Sequence, residues 1–242
     1  MHKDRAKRMK ISENLPTLFK FNGVPLKVRR EFWLLVVLVW TLLAAIGMWR
    51  WPGQSALAYL GVGGLGMLVA MSVEVGHACA HTIGARLAHA PTAAILLGAD
   101  MPRTLYPDEK MRPSQHLARS LGGPIYNWIG VGIGLLALHL TAPQTAARYL
   151  AEIWTLGNAF LGVASFVPLP IVDGGVIAKW LLVIGGQDEG QADRTVRWVD
   201  MALVVLLLVA AGVAALVGRW LVASGMVVLA AVIELVVAGI IS

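Results

Sequence analysis

Six long stretches of the chain contain no Asp, Glu, Lys or Arg, and they constrain the fold more than any motif does. A helix that crosses a bilayer needs about 17 to 25 mostly apolar residues, and most of the stretches reach that length. They are residues 32–49, 55–73, 120–147, 153–172, 201–218 and 220–233. Only 14% of the 242 residues are charged, which is unlike an ordinary soluble domain. The sequence therefore predicts an all-α multi-pass membrane protein of about six transmembrane helices, with a single membrane domain over residues 32–242.

The Lys and Arg residues are distributed unevenly between the two sides of this predicted domain. On a six-span arrangement, 17 of the 20 lie on the side of the N-terminus, and only Arg50, Arg148 and Arg219 lie opposite. Because basic loops stay in the cytoplasm, both termini are predicted to be cytoplasmic. Topology and anionic lipid thereby account for the net charge of +6, so no nucleic-acid partner is expected.

Two segments outside the apolar stretches are expected to lie on the cytoplasmic side. Residues 1–31 form a basic arm that lies either on the membrane surface or in solvent as a charged tail. Residues 86–119 combine charges with four prolines, which excludes a spanning helix. Within them, residues 91–100 are apolar but too short to cross, so we expect either a re-entrant segment or an edge strand there.

An acid and two histidines, Glu74, His77 and His81, stand inside otherwise apolar sequence. At about 100° per residue, their side chains fall within an arc of roughly 60° on one face of a helix. An ionisable side chain at bilayer depth costs roughly 2.5 kcal/mol or more, so such groups usually pair or bind a ligand. The cluster therefore predicts a metal site or a proton relay inside the membrane.

Two later stretches place polar side chains at broken helices. The prolines within residues 167–172 unwind a helix, and Asp173 follows at once, either to meet the three side chains above or to cap a turn. Within the predicted spans at 120–147 and 153–172, a Gly-Pro pair and two Asn side chains are expected either to contact a substrate or to pack helices together. These candidate substrate-binding or structural residues are Gly123, Pro124, Asn127 and Asn158.

In their order along the chain, these motifs resemble the site-2 protease family of intramembrane zinc metalloproteases. The resemblance extends over residues 55–185. It is carried by Glu-Val-Gly-His-Ala at 74–78, Gly-Pro-Ile-Tyr-Asn at 123–127 and Pro-Leu-Pro-Ile-Val-Asp-Gly-Gly at 168–175. The resemblance implies a zinc site that opens to the cytoplasmic side and cuts transmembrane substrates. By position it assigns the role of general base to Glu74, and metal binding to His77 and Asp173.

One position departs from the family's His-Glu-x-x-His pattern. The first histidine of that pattern falls on Val73, which cannot bind a metal. His81 lies one turn beyond His77, so a metal can shift by one turn and keep two histidines at i and i+4. Ala78 then takes the position of the base, and Glu74 becomes a candidate fourth ligand.

The donor set leaves the metal and the activity open. Two imidazoles with one or two carboxylates suit zinc first, and equally accommodate iron or manganese. Four protein ligands would leave zinc no position for water, which favours a structural or redox role. The sequence is thus compatible with an intramembrane metallopeptidase, with a repurposed metal site, or with a pseudoprotease that acts as a binding or assembly subunit. Each alternative implies the lipid bilayer and a transmembrane substrate or membrane-protein partner.

Overall fold

The computed structural model describes residues 14–99, 102–106 and 111–238, in which the chain forms seven helices and one small sheet. The strands are β1 Thr17–Phe21, β2 Val24–Val28, β3 Ala94–Leu97 and β4 Arg103–Leu105. The helices are α1 Glu31–Arg50, α2 Ala56–Leu87, α3 Pro113–Leu140, α4 Ala146–Ala164, α5 Asp173–Ile184, α6 Glu189–Leu216 and α7 Trp220–Val237. The first 13 residues of the basic arm, the loop around Asp108 and the last four residues lie outside the described residues.

Five of the described helices, α1, α2, α3, α6 and α7, are long and apolar enough to cross a membrane. Large apolar side chains such as Leu34, Leu68 and Ile129 are exposed on their outer faces. Apolar surface of this kind on every side of a bundle matches lipid rather than water. The predicted integral membrane protein, built mostly of helices, is thereby confirmed.

The predicted span at residues 153–172 is divided between α4 and α5. Eight residues separate the two helices, and Pro168 and Pro170 stand among them, as predicted. Proline lacks a backbone N–H and clashes with the preceding turn, so a helix ends there. At its other end α4 carries Glu152, whose carboxylate pairs with both Nη atoms of Arg50 at 3.0 Å.

The helices α2, α3 and α4 pack against one another and form the centre of the molecule. The helix α1 packs on α2, and α5 packs on α3; α6 and α7 follow outward from α5. Helices α2 and α3 approach each other closely at Gly122, where a Cβ would lie 2.8 Å from the carbonyl carbon of Ala80. Only glycine fits there, and the contact brings α3 against the turn of α2 that carries the histidines.

The four strands form one sheet in the order β1-β2-β3-β4. β2 pairs with β3 in parallel, and the other two pairs are antiparallel. Leu26 and Ile95, which face each other in that parallel pair, are fully buried in a core cluster with Ala78 and Cys79 of α2. The sheet therefore fixes the rotation of α2, because it covers the helix face that lies away from the histidines.

The sheet corrects two expectations from the sequence. The apolar segment at 91–100 does contain a strand, but β3 lies between β2 and β4 and is not at an edge. Residues 17–28 of the arm are not a separate solvated tail, since they form a hairpin whose second strand pairs with β3. The pairing also brings the arm and the loop after α2 to one end of the helices, which agrees with the prediction that they share one side of the membrane.

Candidate metal centre

His77, His81 and Asp173 form the one group of three potential metal ligands found in the described part of the chain. The Nε2 atoms of the two histidines lie 3.1 Å apart. The carboxylate of Asp173 is 3.2 Å from Nε2 of His77 and 3.3 Å from Nε2 of His81. His81 is buried and the other two side chains are half-buried, so the group is largely shielded from solvent.

Backbone structure places each of the three side chains. The histidines stand at i and i+4 on α2, so their rings lie one above the other on one face. Asp173 is the first residue of α5, where the positive end of the helix dipole stabilises a carboxylate. Gly175 lets the unwound segment fold tightly onto the start of α5, because a Cβ there would lie 2.5 Å from the carbonyl carbon of Leu169. The chain thereby turns Asp173 toward α2.

The outer ring nitrogen of His81 has a fixed role. Its Nδ1 lies 2.8 Å from the backbone carbonyl oxygen of Arg119. A carbonyl oxygen only accepts hydrogen bonds, and this contact is shorter than the 3.4 Å between Nδ1 and the backbone nitrogen of Gly123, so we assign the proton to Nδ1, which donates it to Arg119. In the neutral ring, Nε2 then presents its lone pair to the centre, which is the form that binds a metal.

The outer nitrogen of His77 is fixed by a chain of side-chain amides. Its Nδ1 contacts Oδ1 of Asn127. Nδ2 of Asn127 donates to Oδ1 of Asn158 at 3.0 Å, and Nδ2 of Asn158 donates to the carbonyl of Trp154 at 2.9 Å. Because the final acceptor is a carbonyl, each amide in the chain has one orientation, and Nδ1 of His77 must donate to Asn127. Nε2 of His77 therefore also presents a lone pair.

With neutral rings, two lone pairs and a carboxylate lie within 3.1 to 3.3 Å of one another, an arrangement that needs either a proton on a ring nitrogen or a metal cation among them. Zinc bound tetrahedrally at about 2.0 to 2.1 Å would hold its ligand atoms roughly 3.3 Å apart, close to the separations here. Gly123 supplies the space, since a Cβ there would lie 2.5 Å from Nε2 of His77 and 2.6 Å from Nε2 of His81. The residues present fit a metal ion.

The remaining candidates from the sequence occupy different places. Glu74 is half-buried one turn before His77 and is not a member of the three-residue group. Val73 is buried against α4, 3.6 Å from the position that a Cβ of Gly157 would take. Ala78, which follows the first histidine of the shifted pair, is 1% exposed in the core under the sheet. Pro124 is buried inside α3 beside the site.

Sequence reasoning missed several residues that support the centre. The carbonyl of Arg119 has no sequence signature, because any residue supplies one. The Arg119 guanidinium lies 3.7 Å from the centre of the Tyr106 ring, and burial raises the pKa of this tyrosine to about 12, so it stays neutral at physiological pH. The rings of His116 and Trp180 stack at 3.9 Å and join α3 to α5 near Asp173.

No protein-family model and no curated protein sequence matches this chain. Among solved structures, its fold is similar to that of the site-2 protease from Methanocaldococcus jannaschii, with a TM-score of 0.54 and 15% sequence identity. The similarity covers 88% of this chain and 91% of that one. At this identity it bears on the fold alone. The chain therefore has a distant site-2-protease-like fold, in which His77, His81 and Asp173 meet.

Proposed function

We propose that the protein is an intramembrane metalloprotein of the metallopeptidase type, which binds one zinc ion through His77, His81 and Asp173. The observation that carries this proposal is the convergence of two imidazole lone pairs and a carboxylate, with both outer ring nitrogens already committed to acceptors. The similarity in fold to a site-2 protease supports the same class. Iron or manganese remains compatible with these donors.

The residues of the chain have distinct roles in this proposal. A zinc ion held by His77, His81 and Asp173 would supply a Lewis acid toward a peptide carbonyl and toward water. Asn127 and Asn158 hold His77 in the tautomer that leaves Nε2 available, and Gly123 keeps the space beside both rings open. Glu74, on the same helical face one turn before His77, is the carboxylate proposed to accept a proton from water.

A second function has one observation in its favour. The residue after the first histidine of the pair is Ala78, buried in the core, so the usual position of the base holds a methyl group. If Glu74 does not act as the base, a centre of this kind would bind metal without hydrolysing peptides. The protein would then recognise a transmembrane partner through the same interior and serve as a binding or assembly subunit.

Elemental analysis of the purified protein tests metal binding. We expect about one zinc per chain in the wild type and less than about a tenth of that in a His77→Ala, His81→Ala double variant, because a bound metal offsets the desolvation of its ligands. His139→Ala is the matched control, since this histidine lies in the last turn of α3 and outside the group. Equal metal content in the wild type and the double variant contradicts the proposal.

Reconstitution with a helix-destabilised transmembrane substrate separates the two functions. Cleavage by the wild type that is lost in both Glu74→Gln and the double variant supports the peptidase. If the wild type binds zinc and leaves the substrate intact, the non-proteolytic function is the correct one.

A further inference from the structure

A cavity of about 470 Å³ lies at the end of α2, between the last turn of that helix and the turn of the β1-β2 hairpin. It is separate from the metal centre, and none of the three ligands lines it. Its polar lining residues are Asn22, Thr82, Arg86, His89 and Thr92, with three apolar residues between them. No acidic side chain is among the residues of the described chain that line it, so the cavity is positively charged.

The polar groups of the cavity are hydrogen-bond donors with few partners of their own. The guanidinium of Arg86 is exposed, and within residues 14–99, 102–106 and 111–238 it makes no ion pair or hydrogen bond. The hydroxyl of Thr92 is buried and has no hydrogen-bond partner in the same described ranges. A buried hydroxyl without a partner is costly, and a rotation about χ1 that turns it into the cavity would be favoured when an acceptor lies there.

The backbone at the rim brings these donors together. His89 has a φ of +53°, a left-handed conformation that residues other than glycine seldom adopt. It reverses the chain immediately after α2, so that residues 89–92 run beside Arg86. On the opposite rim Asn22 also has a positive φ, of +49°, in the hairpin turn. Both turns direct polar residues toward one space.

The cavity opens beside lipid-facing surface. Ile83 and Leu87, four residues apart on the last turns of α2, are 43% and 78% exposed. Arg86 lies between them in sequence, near the point where this spanning helix ends. A ligand seated in the cavity can therefore keep an anionic group on the arginine while acyl chains lie against Ile83 and Leu87.

We propose that this cavity is a binding site for a phosphate group, held by the guanidinium of Arg86 and by the donors of Thr92, His89 and Asn22. Arginine matches phosphate because its planar fork of N–H groups binds two oxygens at once. The position at the membrane surface points to the headgroup of an anionic lipid, and a soluble phosphate compound has the same chemistry.

Binding measurements on the purified full chain in neutral detergent distinguish a lipid headgroup from a soluble compound as the source of the phosphate group. The ligands are dioctanoyl phosphatidic acid, dioctanoylglycerol and inorganic phosphate. We expect phosphatidic acid to bind at least tenfold more tightly than dioctanoylglycerol, and Arg86→Gln to remove that difference. Lys20→Gln is the matched control, because this lysine is exposed on β1 and does not line the cavity. Inorganic phosphate that competes with equal affinity identifies a soluble compound as the source; competition only by the lipid identifies the headgroup.

A second variant, Thr92→Val, distinguishes a role of Thr92 in phosphate binding from a role in stability alone. Thr92→Val removes the unpartnered hydroxyl, so we expect unchanged or higher thermal stability without ligand, together with weaker binding of phosphatidic acid. The proposal is overturned if Arg86→Gln and Lys20→Gln weaken binding equally, or if phosphatidic acid binds no better than dioctanoylglycerol.

Discussion

The substitution Gly123→Ala tests the proposed metal centre most directly, because it adds one methyl group beside the ring nitrogens that would hold the metal. The new Cβ would lie 2.5 Å from Nε2 of His77, and ordinary contact begins at 3.4 Å. A ring must therefore move by about 0.9 Å, whereas metal sites tolerate deviations of about 0.2 Å in ligand distance. We expect zinc to bind at least 100-fold more weakly.

That loss converts into a measurable change in stability. At free zinc of about 100 times the wild-type dissociation constant, binding stabilises the wild type by about 2.7 kcal/mol, and a 100-fold weaker variant by only about 0.4 kcal/mol. Gly132→Ala is the matched control on the same helix, since a Cβ there meets nothing within 4 Å. It should retain the full effect of zinc and gain up to about 1 kcal/mol from helix propensity.

The assay is thermal unfolding in detergent with and without buffered zinc, together with competition against a chelator. Zinc that stabilises Gly123→Ala as much as Gly132→Ala would refute the assignment of the metal to the space beside α3. A variant that does not fold is recognised by its melting without zinc, and the His77→Ala, His81→Ala double variant, which removes side-chain atoms, then tests the same site.

Three further predictions concern the surroundings of the site. Asn158→Leu breaks the amide chain to His77, so zinc affinity should fall by about 10- to 100-fold in chelator competition; unchanged affinity contradicts a fixed tautomer. Val73→His should lower the free energy of unfolding by about 1 to 3 kcal/mol, because it overpacks the contact with α4, and leave one zinc per chain in elemental analysis. Tighter zinc binding in this variant would contradict the assignment to His77 and His81, because it would place the metal one helical turn earlier on α2, between positions 73 and 77. A single cysteine at Asn22, in a Cys79→Ser background, should react with an impermeant thiol reagent only from the cytoplasmic side, and labelling from outside reverses the predicted topology.

The shared helix face of the two histidines and the break before Asp173 were readable from local sequence. Two histidines at i and i+4 share a helix face whatever the rest of the fold does, and prolines end a helix wherever they stand. The pairing of His77 with His81 therefore follows from rules that act over a few residues, whereas the approach of Asp173 to them is a product of the fold. The binding of metal by these three, and any part taken by Glu74, remain predictions for the experiments above.

The strand pairing in the sheet could not be predicted from local sequence. The strand β2 has only five residues, and its partner Ile95 lies far along the chain from Leu26. Parallel pairing of this kind leaves no turn signal, since the connection contains two whole helices. The alternation of Val24, Leu26 and Val28 was the available cue, but the basic residues around it favoured an arm that lies on the membrane surface or in solvent. The supporting carbonyl of Arg119 is likewise a product of tertiary packing.

The parallel pairing of β2 with β3 also imposes an order on biosynthesis. Leu26 leaves the ribosome 69 residues before Ile95, an interval of roughly 3 to 14 s at ordinary rates of translation. The helices α1 and α2 lie between these two strands in the sequence. Both helices must therefore be inserted into the membrane before β3 reaches the side on which the β1-β2 hairpin lies and can pair with β2. Until α1 and α2 are in the bilayer, the β2 edge of the nascent hairpin therefore stays unpaired and exposed to the translocation machinery.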